Sequence, residues 1–288
     1  MDTKPKTVTS KDGTTIAFDQ LGKGPVVILV NGALGTRSHA TPNSMADILS
    51  KRFTVIDYDR RGRGDSGDTL PYAVQREIED IEALIDEVGG SAFLFGNSSG
   101  AILALEAVRA LPNAVKKLAL FEPPFIIDDS RPPLPNDYVE QLNAAIAANR
   151  PGDAVEIFMT KALLIPPEFV AMMRNTPMDQ TFGDEAGARP PEWAEMEKVA
   201  HTLAYDGIIV KDFLAGKPLP TKRWASFTAP TLVIVGGNSE PFFHDGARAL
   251  VDDMPNAQRS ILEGQDHAVS PTALAPLLTE FFQTRDGL

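Results

Sequence analysis

The chain contains no cysteine, which excludes disulfides, thiolate metal sites and a cysteine nucleophile. Positive charge is also short: 27 Lys and Arg stand against 39 Asp and Glu, a formal net charge of −12. Nucleic acid and anionic membrane surfaces are bound through clustered Lys and Arg, so neither is expected as a partner. No set of His, Asp and Glu has metal-ligand spacing, and Gly62-Arg63-Gly64 reads as a turn rather than a phosphate cradle. No metal and no other cofactor is therefore expected. No apolar run approaches membrane-spanning length. Met1 to Lys6 leads into polar sequence without an apolar signal core, so cytoplasmic residence is the expectation. Internal repeats and low-complexity tracts are lacking too.

What remains is an ordinary globular composition, 43% hydrophobic and 23% charged over 288 residues, enough to bury a substantial core. Lys11-Asp12-Gly13 carries a hairpin turn signal, with Thr14 to Phe18 as the returning strand. Val26 to Val30 is a continuous β-branched strand, too apolar for a sheet edge, and it ends in the glycine-bearing loop Asn31 to Gly35. A short helix is predicted over Met45–Lys51, a strand over Phe53–Tyr58 and a helix over Val74–Val88, whose apolar residues make one stripe. Val115–Phe121 reads as a strand stopped by Pro123-Pro124. Strands alternating with helices indicate a mostly parallel sheet covered on both faces.

After Pro124 the alternation stops. Helices are predicted at Asp137–Asn149, Gly152–Leu164, Pro167–Arg174 and Pro191–Leu203, joined by proline-rich connections. This reads as a helical insertion of roughly a hundred residues, the size of a small domain. The sheet resumes with strands at Thr231–Val235 and Arg259–Leu262 and helices at Phe242–Val251 and Ala273–Phe282. The division expected is a core of residues 1–125 and 226–288 with a cap of residues 126–225.

The stretch with the densest chemistry is Ser91 to Arg109. A short apolar strand, Ala92 to Phe95, runs through Gly96-Asn97-Ser98-Ser99-Gly100 into an apolar helix. G-x-S-x-G alone is a weak pattern and would also suit a turn without chemistry; the flanking strand and helix are what make it specific. The residue at such a bend is strained, and the bend is tolerated only when nothing bulky sits two residues to either side. Ser98 is that residue, and its hydroxyl is the candidate nucleophile. It needs a base. Of the four histidines, His39 lies in a polar loop, His201 in an insertion helix and His244 near the start of a surface helix. His267, in the loop leaving the last strand, falls at the sheet edge where Ser98 should be.

Asn31-Gly32, the run Asp59-Arg60-Arg61-Gly62-Arg63-Gly64-Asp65-Ser66, the elbow Gly96–Gly100 and Gly264-Gln265-Asp266-His267 follow one another in an order that resembles the serine hydrolases of the α/β-hydrolase fold. The resemblance spans essentially the whole chain. It implies a mostly parallel eight-stranded sheet with helices on both faces and a helical cap inserted after strand six. It makes Ser98 the nucleophile, His267 the base, and the backbone N–H groups of Ala33 and Ser99 the oxyanion hole. Two departures stand out. Family members usually carry His before the glycine of the first segment, where this chain has Asn31. They mostly place the triad acid after strand seven as Gly-x-x-Asp, where this chain reads Gly236-Gly237-Asn238-Ser239-Glu240. Counting from Gly236 reaches Ser239, which cannot carry charge, and counting from Gly237 reaches Glu240. The alternative is Glu122, at the end of strand six, where a minority of the family places the acid; Glu122 is favoured, with Glu240 held as the alternative.

The expected partner is a small hydrophobic substrate. Phe158, Met159, Phe169, Met172, Met173, Met178, Phe182 and Trp193 in the insertion, with Phe125, Phe242 and Phe243 near its attachments, suit a lid core and an apolar pocket. That favours a hydrophobic ester, thioester or lactone cleaved through an acyl-enzyme. Carbon–carbon bond hydrolysis, cofactor-free perhydrolysis and acyl transfer use the same serine machinery, and a ligand-binding member without turnover is a further alternative. Epoxide hydrolases and haloalkane dehalogenases of this fold need an elbow aspartate, so Ser98 argues against both.

Overall fold

The computed structural model describes residues 5–175 and 193–284. The first hairpin pairs β1 (Lys6–Thr9) with β2 (Thr15–Leu21) antiparallel. At its tip the Asp12 carboxylate accepts from the Thr14 N–H and Gly13 takes φ +87°, a conformation glycine adopts without strain. β3 (Val26–Val30), α1 (Met45–Ser50), β4 (Thr54–Tyr58), α2 (Val74–Glu87), β5 (Ala92–Asn97), α3 (Ser99–Ala110) and β6 (Val115–Phe121) follow in alternation. All eight strands form one sheet in the order β1-β2-β4-β3-β5-β6-β7-β8, with β7 (Thr231–Gly236) and β8 (Ala257–Leu262) at the far edge. Only the pairings of β2 are antiparallel.

Side chains of successive strand residues leave on opposite faces. Ile28 and Val30 therefore pack with Ile81 of α2 and Leu103 of α3, while Val27 and Leu29 pack with Leu49 of α1 and with the C-terminal helix at Leu278. Each such fully buried aliphatic side chain stabilises the fold by about 1.5–3 kcal/mol. Covering both faces makes the strand ends, rather than the sheet surface, the place where polar groups can reach a ligand.

Between β6 and β7 the described residues hold α4 (Tyr138–Ala147), α5 (Pro151–Ile157), α6 (Pro167–Asn175), α7 (Trp193–Val199) and α8 (Leu203–Val210). They gather an apolar cluster of their own around Leu142, Val155, Met159, Ala200 and Leu203. After β7 come α9 (Pro241–Asp253) and α10 (Pro271–Gln283).

Two helices differ from the sequence reading. The one predicted over Gly152–Leu164 ends at Ile157 and continues as a π-helical turn, Phe158–Ala162, where the Thr160 hydroxyl donates to the Glu156 carbonyl. The one predicted over Pro191–Leu203 runs from α7 through a 3₁₀ turn, Ala200–Thr202, into α8. α8 was missed because its residues, LAYDGIIV, are apolar on nearly every side and carry no stripe for a periodicity argument. Met178 and Phe182 lie outside the described residues.

Candidate active site

β5 and α3 meet at Ser98, whose φ is +55°. For a residue other than glycine this backbone costs on the order of 1–3 kcal/mol, and its neighbours enforce it. A Cβ at Gly96 would stand 2.7 Å from the Ala101 Cα, and one at Gly100 would stand 2.2 Å from the Val30 carbonyl oxygen. Only glycine lets strand and helix approach this closely. The Ser98 N–H donates to the Phe121 carbonyl at 2.9 Å, which ties the bend to the end of β6.

The residue that follows β6 repeats the device. Glu122 has φ +47°, donates its N–H to the Ile234 carbonyl and is fully buried. A carboxylate taken out of water needs partners, and Glu122 has three. Its Oε1 accepts from the Gly236 N–H at 2.8 Å and from the Ser239 hydroxyl, and its Oε2 lies 2.6 Å from Nδ1 of His267. Ser239, the position from which the usual acid is missing, is thus a hydrogen-bond donor to the carboxylate across the strand gap. The His267 ring stacks on Phe243, with centroids 4.8 Å apart. Glu240 differs in every respect: its side chain is 56% exposed and its ion-pair partner is Arg131, at 3.4 Å.

Ser98, His267, Ala33 and Ser99 line one cavity of about 500 Å³. His39, His201 and His244 do not line it; His201 lies 3.7 Å from Asp68 instead. From the predicted set of aromatics and methionines, Phe158, Phe242 and Phe243 reach the cavity. Phe125 and Met159 are buried in separate apolar clusters, and Phe169 and Met172 are exposed.

The loop after β4 holds this cavity's wall. Arg63 donates to the carbonyls of Gly32 at 2.6 Å and Gly35 at 3.1 Å, and Arg60 donates to that of Asn31 at 3.2 Å. Both guanidiniums converge on Asp206 of α8, at 2.7 and 2.6 Å, and the Ser99 hydroxyl donates to the same carboxylate at 2.7 Å. Burial alone would raise the Asp206 carboxyl; the charges of Arg60 and Arg63, with the hydrogen bonds from Arg60 and Ser99, outweigh it and hold the group below the usual range. One buried ion cluster therefore joins the loop Asn31–Gly35, the first turn of α3 and the helical stretch above them. Sequence reading recognised the arginine run but not this partner. The available signal was a lone Asp inside an otherwise apolar helix.

A model of the alpha/beta hydrolase family matches residues 27–277, and the chain belongs to that family. A solved alpha/beta hydrolase from Sphaerobacter thermophilus is 50% identical, with 96% of this chain and all of that one covered and a TM-score of 0.84. The enol-lactonase of Burkholderia xenovorans, 20% identical over 97% of this chain and all of its own, shares the fold with a TM-score of 0.66. The uncharacterized hydrolase YraK of Bacillus subtilis is 30% identical over 115 residues, 38% of this chain and 42% of its own. The chain thus spans less than half the length of the first two curated relatives it matches.

Proposed function

We propose that the protein is a serine hydrolase that cleaves a hydrophobic carboxylic ester, thioester or lactone through an acyl-enzyme on Ser98. A hydroxyl is a weak nucleophile until a base removes its proton. With Nδ1 of His267 engaged by Glu122, the imidazole carries its proton there and Nε2 is left as the base toward Ser98. Glu122 holds the tautomer and stabilises the imidazolium that forms during attack. The same imidazolium then protonates the leaving group, and a water activated by His267 releases the acid. Charge developing on the carbonyl oxygen is taken up by the N–H groups of Ala33 and Ser99, the latter among the first N–H groups of α3, which have no acceptor within their own helix. Each such donor lowers the barrier by about 3 kcal/mol.

The observation that carries this reading is the buried Glu122 carboxylate 2.6 Å from a histidine that lines the same cavity as the elbow serine. Residues 126–225 act in it as a lid. The apolar part of the cavity, from Phe158, Val210, Leu214, Phe242 and Phe243, suits a hydrophobic acyl or alcohol group. Enol-lactone hydrolysis on the same fold, in the Burkholderia protein, is chemistry of this class. A fluorophosphonate should label Ser98 stoichiometrically, and p-nitrophenyl esters should be turned over by the wild type and not by Ser98→Ala. Absence of both labelling and turnover would leave a ligand-binding member of the fold. Turnover of short acetyl esters as efficient as that of aryl or medium-chain esters would remove the hydrophobic preference.

A further inference from the structure

Arg131 sits in the proline-rich connection after β6, is nine-tenths buried, and lines the cavity that holds Ser98 and His267. A guanidinium has five N–H donors. Among the described residues only one interaction of Arg131 has hydrogen-bond geometry, from Nη2 to the Ala162 carbonyl at 3.3 Å. Its Nε is buried and without a hydrogen-bond acceptor. The nearest carboxylate, Glu240, lines the same cavity on a side chain 56% exposed, and its Oε2 stands 3.4 Å from that Nε without hydrogen-bond geometry. One face of the guanidinium is covered by the Phe242 ring, 4.2 Å to its centroid. Stacking of this kind leaves the edge of the fork for a ligand.

The other buried arginines are satisfied differently. Arg37, Arg60, Arg61 and Arg63 each pair with at least one buried carboxylate. Among the described residues Arg131 is the buried arginine that keeps donors in reserve, and it keeps them on the wall of the cavity.

We propose that Arg131 binds a carboxylate on the substrate, so that the molecule cleaved is a hydrophobic ester, thioester or lactone bearing one further negative charge. The substrate class rests on the serine-hydrolase reading; the anion site itself does not. A planar carboxylate matches the guanidinium fork in two parallel hydrogen bonds. Arg131 carries a single positive charge, so the site suits no more than one negative charge on the ligand. Phe158, Leu163 and Leu214 on the same cavity cover the hydrocarbon between that group and the reacting carbonyl.

The test has two arms. In the first, the wild type is given p-nitrophenyl monoesters of adipic and suberic acid beside their methyl-capped neutral counterparts, and hexanoate esters of phenols with and without a ring carboxylate. In at least one of these series the carboxylate should raise kcat/KM about tenfold to a hundredfold, mainly through KM, the range of a charge-assisted hydrogen-bonded pair. That preference should collapse in Arg131→Met and survive in part in Arg131→Lys, which keeps the charge but not the fork. In the second arm, calorimetry compares octanoate with octanamide, and only octanoate should lose affinity, about tenfold or more, in Arg131→Met. Thermal melts of both variants establish that they fold; should Arg131→Met fail to do so, Arg131→Lys carries both arms. Turnover of neutral esters with no preference for a carboxylate in any series, or a preference that is undiminished in the variants, overturns the proposal and leaves the serine chemistry standing. Failure of the catalytic reading would instead abolish turnover of every ester while the octanoate arm still decides the anion site.

Discussion

Buried arginines occupy two regions of this molecule under opposite conditions. In the loop after β4, Arg60, Arg61 and Arg63 face Glu77, Asp80 and Asp206 at 2.6–2.9 Å, with side chains of both signs withdrawn from water. At the cavity, Arg131 faces a half-exposed glutamate and an aromatic ring. Burying a charge is tolerable only where opposite charge and hydrogen bonds replace the lost hydration. The first region meets that condition internally, so its charges act as internal struts. The second leaves it to be met from outside, which is what a binding site requires. The catalytic carboxylate proposed here stands between these cases. Glu122 is fully buried, with two donors fixing one oxygen and His267 on the other.

The sharpest way to break this contrast is at Glu122. Glu122→Gln keeps the shape and removes the charge that orients His267, so kcat should fall about 10³–10⁴-fold with little change in fold. A smaller effect, on stability rather than rate, is expected in the closed cluster. Asp206→Ala takes the only carboxylate from Arg63 and one of two from Arg60 among the described residues, and should cost about 3–5 kcal/mol, a drop of roughly 10 °C in Tm.

The pH dependence of that cluster follows from the depressed carboxyl of Asp206. A folded-state value below the unfolded one of about 3.9 means that the unfolded chain binds more protons in that range. The stabilisation is therefore present above about pH 4 and lost as pH falls through the folded value. Denaturation followed from pH 6 to pH 2 should show a shallower acid loss in Asp206→Asn than in the wild type. Least affected of all should be Glu240→Gln, with a change in kcat below about threefold on neutral esters, since an exposed ion pair contributes little. A large loss there and a small one at Glu122 would move the triad acid to Glu240.

Much of the site was legible along the chain because its signals are local. Gly96 and Gly100 are required by contacts with Ala101 and Val30, and a strand–turn–helix pattern announces such a bend. The apolar strands announced the parallel sheet, and the loop after the last strand announced His267. The candidate acids were harder to tell apart, because Glu122 and Glu240 both follow strands and differ in burial, which neighbouring residues do not reveal. Asp206 lay within a helix without a stripe, and Ser239 was read only as a missing acid. Arg131, among prolines, carried no pattern at all.

Periodicity, glycine spacing and the order of motifs thus determined the architecture and the serine at its bend, since these depend on sterics within a few residues of the chain. Which charges are closed and which stay open was decided by tertiary packing alone. The pairs concerned, Ser99 with Asp206 and Glu122 with His267, are 107 and 145 residues apart. Their energies depend on burial and on the approach of a partner to within 3 Å, and both arise only once the helical stretch and the sheet edge have come together.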